Sequence, residues 1–431
     1  MSVTAATICH TGIRSYLEQF SLQEQGSLFS TDDAGLTKVH NVCTSGSTVP
    51  AFVNEFWTAK QRQSSSIHEV SYRACFKAHL PRFFIELLTR EGDVVYDPFG
   101  GRGTTAIEAG LLGRRAISND VNPLSDILAR PRFFPPDVPD VAARLKMVSR
   151  DGSRKADIDL SMFFHPDTEA EIVALRGYLA KRRADGNEDC IDRWIRMVAT
   201  NRLTGHSAGF FSVYTLPPNQ AVTPDRQKRI NEKMGQKPEY RNTSQIILRK
   251  TRSLLKDLSH EDRARLRQCG GDAVFLCCDT RETHQIPDDS VCLTVTSPPF
   301  LDVVQYADDN WLRCWFNGTR AESVAGRITM CRTIEDWREF IGAVFKELHR
   351  ITQPGGWVAF EVGEVKAGRV KLEEQVIPAG TASGFDCEGV LINEQMFTKT
   401  ANIWGVSNNA KGTNTNRVVL FRKTAGASAI G

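Results

Sequence analysis

The chain has 431 residues, 41% hydrophobic and 24% charged, the composition of an ordinary soluble globular protein with room for a catalytic domain and a sizeable accessory region. Its net charge of +3 is too small to argue for a nucleic-acid partner by itself, so the distribution of charge has to carry that question. No apolar run approaches the roughly 20 residues needed to span a bilayer, and no charged-then-apolar leader opens the chain, so the expectation is a cytoplasmic protein without a membrane partner.

Eleven cysteines raise the question of a metal or a disulfide framework. No CxxC pair occurs, and the adjacent Cys277 and Cys278 cannot both reach one tetrahedral metal without strain. The expectation is therefore reduced, mostly buried thiols and no metal site.

Residues 1–66 are rich in Ser, Thr and Gln and read as an N-terminal arm, partly disordered, with Phe52, Phe56 and Trp57 as an anchor onto the body. From His79 the pattern sharpens. Leu80, Phe83, Phe84, Leu87 and Leu88 recur at helical spacing, with Pro81 in the first turn. Residues 93–97 then predict a short strand ending in an acid, 104–112 a helix, and 115–120 a second strand ending in an acid. This is the opening βαβ unit of a doubly wound sheet. Residues 132–270 depart from that rhythm, with helices around Ile172–Leu179 and Ile191–Val198. Its basic stretch, Asp225–Arg267, holds about 13 Lys/Arg against 6 Asp/Glu. Strands return at 273–277, 291–295, 357–362 and 417–422, with a helix over 337–351. The expected fold is α/β, Rossmann-like and doubly wound. A mostly parallel seven-stranded sheet is assembled from residues 67–131 and 271–423, the mainly helical segment is inserted between them, and 424–431 form a short tail.

Two motifs carry chemistry. In Asp97-Pro98-Phe99-Gly100-Gly101-Arg102-Gly103-Thr104, glycines at a strand-to-helix turn let backbone N–H groups approach a ligand. A carboxylate at the strand tip repels a pyrophosphate, which disfavours a dinucleotide oxidoreductase. It suits an amino-bearing ligand such as the methionine part of S-adenosylmethionine (SAM). Asp120, about 20 residues on, stands where a carboxylate accepts hydrogen bonds from two ribose hydroxyls. The second motif, Ser297-Pro298-Pro299-Phe300, directly follows an apolar strand. Successive prolines fix the direction of their carbonyls and remove donors. A rigid carbonyl beside a hydroxyl can hold both hydrogens of an –NH2 group, and an adjacent aromatic offers a face for a planar base.

Taken together, these motifs resemble those of the amino-methylating DNA methyltransferases, which make N4-methylcytosine or N6-methyladenine. The resemblance covers about residues 67–131 and 271–423, roughly half of the chain. It implies SAM as cofactor, bound by Asp97, Pro98, Phe99, Gly100, Gly101, Gly103 and Thr104. Asp120 and Asn122 would serve the ribose step, Asp279 would lie near the adenine, and Phe76 and Lys77 belong to an upstream aromatic-and-basic segment, 71–77. It implies Ser297, Pro298, Pro299 and Phe300 as the catalytic tetrapeptide. Ser-Pro-Pro-Phe is closer to the cytosine-N4 group, and adenine N6 stays open as the alternative target. The implied partners are double-stranded DNA, read by the basic insertion, and a restriction endonuclease acting on the same site. Within that insertion, the loop 205–214 flanked by Arg193, Arg196 and Arg202 has the composition of a base-reading loop beside a phosphate clamp. Two further readings stay open: an RNA or tRNA amino-methyltransferase, and a non-catalytic nucleic-acid-binding subunit. His68 and His206 are expected to be structural or at the surface, and Trp311 and Trp315 to be core.

Overall fold

The computed structural model describes residues 12–21, 36–44, 46–57, 64–73, 75–149, 152–216, 222–299, 306–329, 331–362, 364–365, 370–394 and 415–424. Its main sheet has nine strands: β1 (Lys38–Cys43), β2 (Thr48–Asn54), β3 (Val94–Asp97), β4 (Arg115–Asn119), β5 (Val274–Leu276), β6 (Val291–Thr296), β7 (Thr352–Val362), β10 (Phe385–Glu394) and β11 (Thr415–Lys423). Between β7 and β10 lies a two-stranded ribbon of β8 (Glu364–Val365) and β9 (Val370–Lys371). The order across the main sheet is β1-β2-β10-β11-β7-β6-β3-β4-β5. The pairs β3–β4, β4–β5, β3–β6 and β6–β7 are parallel, whereas β11 runs antiparallel to both β7 and β10.

This is the Rossmann-like, doubly wound architecture, and it corrects the expected strand count. The sheet carries nine strands because the hairpin β1–β2 extends it, β2 lying parallel to β10. Residues 38–43 and 48–54 are thus part of the sheet and not of a loose arm. The composition hides them because β1 is exposed along nearly its whole length and β2 carries Pro50. A proline is tolerated where the strand needs no donor at that position.

Two apolar layers flank the sheet. One includes the helices His79–Leu88 and Thr104–Leu111 and most of the inserted helical segment; the other includes Ile334–Ile351 and Glu373–Ala382. Between Val138 and Asp272 the described residues form six helices and contribute no strand to the sheet. These helices are pinned by ion pairs. Arg144 donates to Asp189 at 2.7 Å and to Asp192 at 2.5 Å, and Arg182 reaches Asp192 at 2.9 Å. Asp192 is fully buried, so both guanidiniums are needed to compensate its charge. Among the described residues, no helix is long and apolar enough to cross a membrane. The cysteines depart from expectation: of the ten described, all unpaired, four are buried and Cys43, Cys190 and Cys277 are exposed.

The fold places the site by its winding. β4 and β5 lie on one side of β3, and β6 and β7 lie on the other. The C-terminal ends of these parallel strands form one rim, and the crevice at the reversal is where such sheets take ligands.

Candidate active site at the strand tips

The glycine turn leaves β3 at Asp97 and enters the helix at Thr104. Gly103 has φ 76°, and a Cβ there would lie 2.4 Å from the Ala129 Cβ, so no other residue fits. Gly100 donates to the Asn119 carbonyl at 2.8 Å, tying the turn to the tip of β4. Asp97 is buried behind the turn. Its Oδ1 accepts from the Thr296 hydroxyl at 2.7 Å and from the Phe99 N–H at 3.1 Å. Burial pushes its pKa up to about 6 in spite of those donors. Asp120 closes the turn from the other side, accepting from the N–H of Gly101 and of Asn122, each at 2.8 Å. Desolvation raises this carboxyl to about 6 as well.

Arg102, within the turn, donates to the carbonyls of His68, Val70 and Phe76. One side chain thereby straps the upstream segment across the glycine turn, and Tyr72 reaches Asn122 through its hydroxyl at 3.2 Å. His68 is structural: buried, it meets Glu108 at 2.6 Å.

On the far side of β3, β6 ends in Thr296 and leads into Ser297, Pro298 and Pro299. The Pro299 carbonyl accepts from the indole N–H of buried Trp337 at 3.0 Å, which anchors the proline turn to the Ile334–Ile351 helix. Both turns open into one cleft of about 850 Å³. Of the residues expected from sequence, Phe99, Gly101, Asp120, Asn122 and Asp279 line it, together with Ser297, Pro298 and Pro299. Asp97, Pro98, Gly100, Gly103 and Thr104 shape the turn from behind and do not line the cleft. Phe76 and Lys77 do not line it either, and Phe300 lies outside the described residues. Asp279 is engaged by Arg281 at 2.6 Å.

Sequence reasoning missed Tyr72, Thr280, Arg327, Ile328, Thr329 and Phe340 in the lining. Thr280 fastens the floor, donating to the Pro98 carbonyl at 2.9 Å. Arg327 closes over the rim and donates to the Cys277 carbonyl at 2.6 Å. Tyr72 lies within the upstream segment 71–77, whereas Arg327, Ile328 and Thr329 carry no motif and only the packing of their segment brings them in. Glu361 was missed too, although an acid at the end of an apolar strand is the same signal that drew attention to Asp97. It is buried near the tip of β7, beside the Ser297 that follows the Thr296–Phe360 pair, with the Asn416 amide 2.5 Å away.

The residues present fit SAM. Phe99 and Phe340, their rings 6.1 Å apart, offer apolar walls for a planar ring. Asp120 faces the cleft as an acceptor for hydroxyls, and the turn's glycines leave room for close approach. Fold and site together give a Rossmann-like sheet with a strand-tip cleft whose lining suits SAM.

Residues 36–124 match the DNA methylase family whose members methylate N6 or N4 amino groups. A stretch of 74 residues is 36% identical to the type II methyltransferase M.BsoBI of Geobacillus stearothermophilus, covering 17% of this chain and 14% of that enzyme. Among solved structures, a provisionally assigned DNA modification methylase of Thermus thermophilus is 25% identical over 34% of this chain and 51% of its own, with a TM-score of 0.21. TrmN of Thermus thermophilus is 13% identical over 83% of this chain and 51% of its own, with a TM-score of 0.33. The matches thus span less than two thirds of each of these proteins. Over these stretches the chain is similar to amino-methylating DNA methyltransferases.

The expected base-reading loop needs correction. Arg196 is buried against Glu188 at 2.6 Å. Arg202 is buried as well, stacked 4.0 Å over the Phe210 ring. Phe210 and Phe211 are themselves buried, so neither guanidinium is a phosphate clamp and neither ring a reading head. Their spacing on the Cys190–Arg202 helix turns the two arginines into the protein. Trp311 and Trp315 are half-buried beside buried Leu312, and their indole N–H groups donate to the Val222 carbonyl and to Asp157.

Proposed function

We propose that this chain is a site-specific DNA methyltransferase that transfers the methyl group of SAM to the exocyclic amino nitrogen of a base, cytosine N4 in preference to adenine N6. The observation that carries the reading is the opening of Ser297-Pro298-Pro299 into the same cleft as Asp120, on the two sides of the reversal in strand order. SAM supplies an electrophilic methyl group on sulfur. Asp120 holds the ribose, and the Phe99 and Phe340 walls take the planar ring. Ser297 and the Pro298 carbonyl hold the two amino hydrogens of a flipped base, at an unpairing cost of a few kcal/mol. That grip turns the nitrogen lone pair toward the methyl group, so acceleration comes mainly from positioning.

The preference for cytosine rests on serine at the head of the tetrapeptide. A helical DNA-recognition region over 132–270 is supported by the Pro224–Met234 helix, on which Arg226, Lys228, Arg229 and Lys233 are exposed. Positive charge displayed in this way suits phosphate contact. Trp311 donates to the carbonyl of Val222 at 3.1 Å, tying the start of this helix to the helix just beyond the tetrapeptide. A restriction endonuclease acting on the same site is the natural companion of such an enzyme. The test is transfer of labelled methyl from SAM to duplex DNA and to tRNA in parallel. Label in DNA is expected; label in tRNA alone would replace this reading with an RNA methyltransferase.

A further inference from the structure

Methylating an amino group leaves a proton to be disposed of. The nitrogen forms its bond to carbon as the carbon–sulfur bond breaks, sulfur keeping the electron pair, and the product amine then gives up one N–H proton. Ser297 cannot keep it, because a hydroxyl that accepts a proton must pass its own on. We propose that Glu361 is the acceptor at the end of this relay, taking the Ser297 hydroxyl proton as Ser297 takes the proton from the amino nitrogen, so that Glu361 positions and activates the serine without touching the base. The inference rests on the methyltransferase reading above.

The geometry is that of a single buried carboxyl behind a reactive hydroxyl. Glu361 is the penultimate residue of β7, between buried Phe360 and Val362, and is 8% exposed. Thr296 pairs with Phe360 across parallel β6 and β7, so Ser297 follows beside Glu361, and from the other side the Asn416 amide donates to Glu361 Oε1 at 2.5 Å. β11 runs antiparallel to β7, so its first residues stand on the same rim as the tip of β7. That is how Asn416, far away in sequence, reaches the site. Among the described residues of the flanking strands these are the neutral groups beside Glu361, and Arg417, next along β11, is engaged by Glu373 at 2.7 Å. Among the described residues, the Cys75 thiol also feels this carboxyl.

Burial pushes the Glu361 carboxyl up to about 7, while its hydrogen bonds from Asn416 and Ser297 pull the other way. A group poised there can accept a proton at neutral pH and return it to solvent before the next turnover. A carboxyl serving structure alone would have no need to sit against the serine of the tetrapeptide.

The experiment is single-turnover methyl transfer to duplex DNA at saturating SAM between pH 5.5 and 9, which keeps the cofactor-site acids out of the profile. In the natural chain the rate is expected to rise about tenfold per pH unit and level off above about 7. Glu361→Gln, nearly isosteric and still able to bond Ser297, should lose that limb and run about 10²-fold slower at pH 8. Its SAM affinity and circular dichroism should be unchanged. Asn416→Ala removes a donor that favours the carboxylate, so its limb should move to higher pH, a displacement that mere loosening would not produce. A Glu361→Gln profile that keeps the natural limb, or an Asn416→Ala limb that stays in place, overturns the inference and leaves the methyltransferase reading standing. No transfer to DNA by the natural chain, with SAM bound, removes that reading and this one with it.

Discussion

Two turns on one rim of the sheet solve opposite problems. After β3 the chain uses three glycines, and after β6 it uses two prolines. The glycine turn is held through backbone and carboxylate bonds, Gly100 to Asn119 and Gly101 to Asp120, and its third glycine has no room for a Cβ. It brings N–H groups and open space to a ligand. The proline turn has no N–H to offer at two successive positions, and its Pro299 carbonyl is fixed from outside by Trp337. It offers oriented acceptors, which under the proposed function hold an amino group. The comparison teaches that mutations in the first turn should act on folding and cofactor binding, and mutations in the second on chemistry.

The largest effect that would sharpen this division is expected from Ser297→Ala. Transfer should fall about 10³-fold, roughly 4 kcal/mol of barrier, while SAM affinity by calorimetry stays the same. An equal loss of SAM binding would break the division. Next is Gly103→Ala, which places a Cβ against Ala129 and forces a left-handed backbone on alanine. A loss of about 3 kcal/mol is expected in denaturant titration.

Asp120→Asn should weaken SAM about 30-fold, the equivalent of about 2 kcal/mol for hydrogen bonds to a charged acceptor. The pH dependence follows with its sign. The Asp120 carboxyl lies near 6 in the free protein and SAM requires the carboxylate, so affinity should be flat above about pH 6 and fall below it. In Asp120→Asn the part of that fall due to Asp120 should vanish, leaving only what Asp97 contributes from the same range. Smallest is Trp337→Phe. It frees the Pro299 carbonyl and should cost about 1 kcal/mol of stability, with a rate loss that leaves SAM affinity untouched.

Much of this was legible in the sequence because it is local. β3, its acid, the glycines and the following helix are consecutive, and a turn needing glycine declares itself in the residues. The strand into Ser297-Pro298-Pro299 is legible for the same reason. What the sequence hides is pairing between distant segments. β2 lies against β10, about 340 residues on, and β10 itself is broken by a bulge at Gly389 that disrupts its alternation. The arginines of the insertion mislead because charge count does not report direction. Arg196 and Arg202 are consumed by Glu188 and by Asn201 and Phe210, whereas Arg226 and Lys228 remain at the surface. Glu361 has the strand-end signature of Asp97, but its meaning depends on Ser297 and Asn416, which the fold supplies.

The central claim is that the cleft methylates an amino nitrogen of a DNA base. The most direct measurement is mass spectrometry of the nucleosides from unmethylated duplex DNA after incubation with the protein and SAM. N4-methylcytosine is the predicted product, and N6-methyladenine would keep the chemistry while correcting the base. Methylation on cytosine C5, or DNA left unmodified while SAM is bound, would contradict the account.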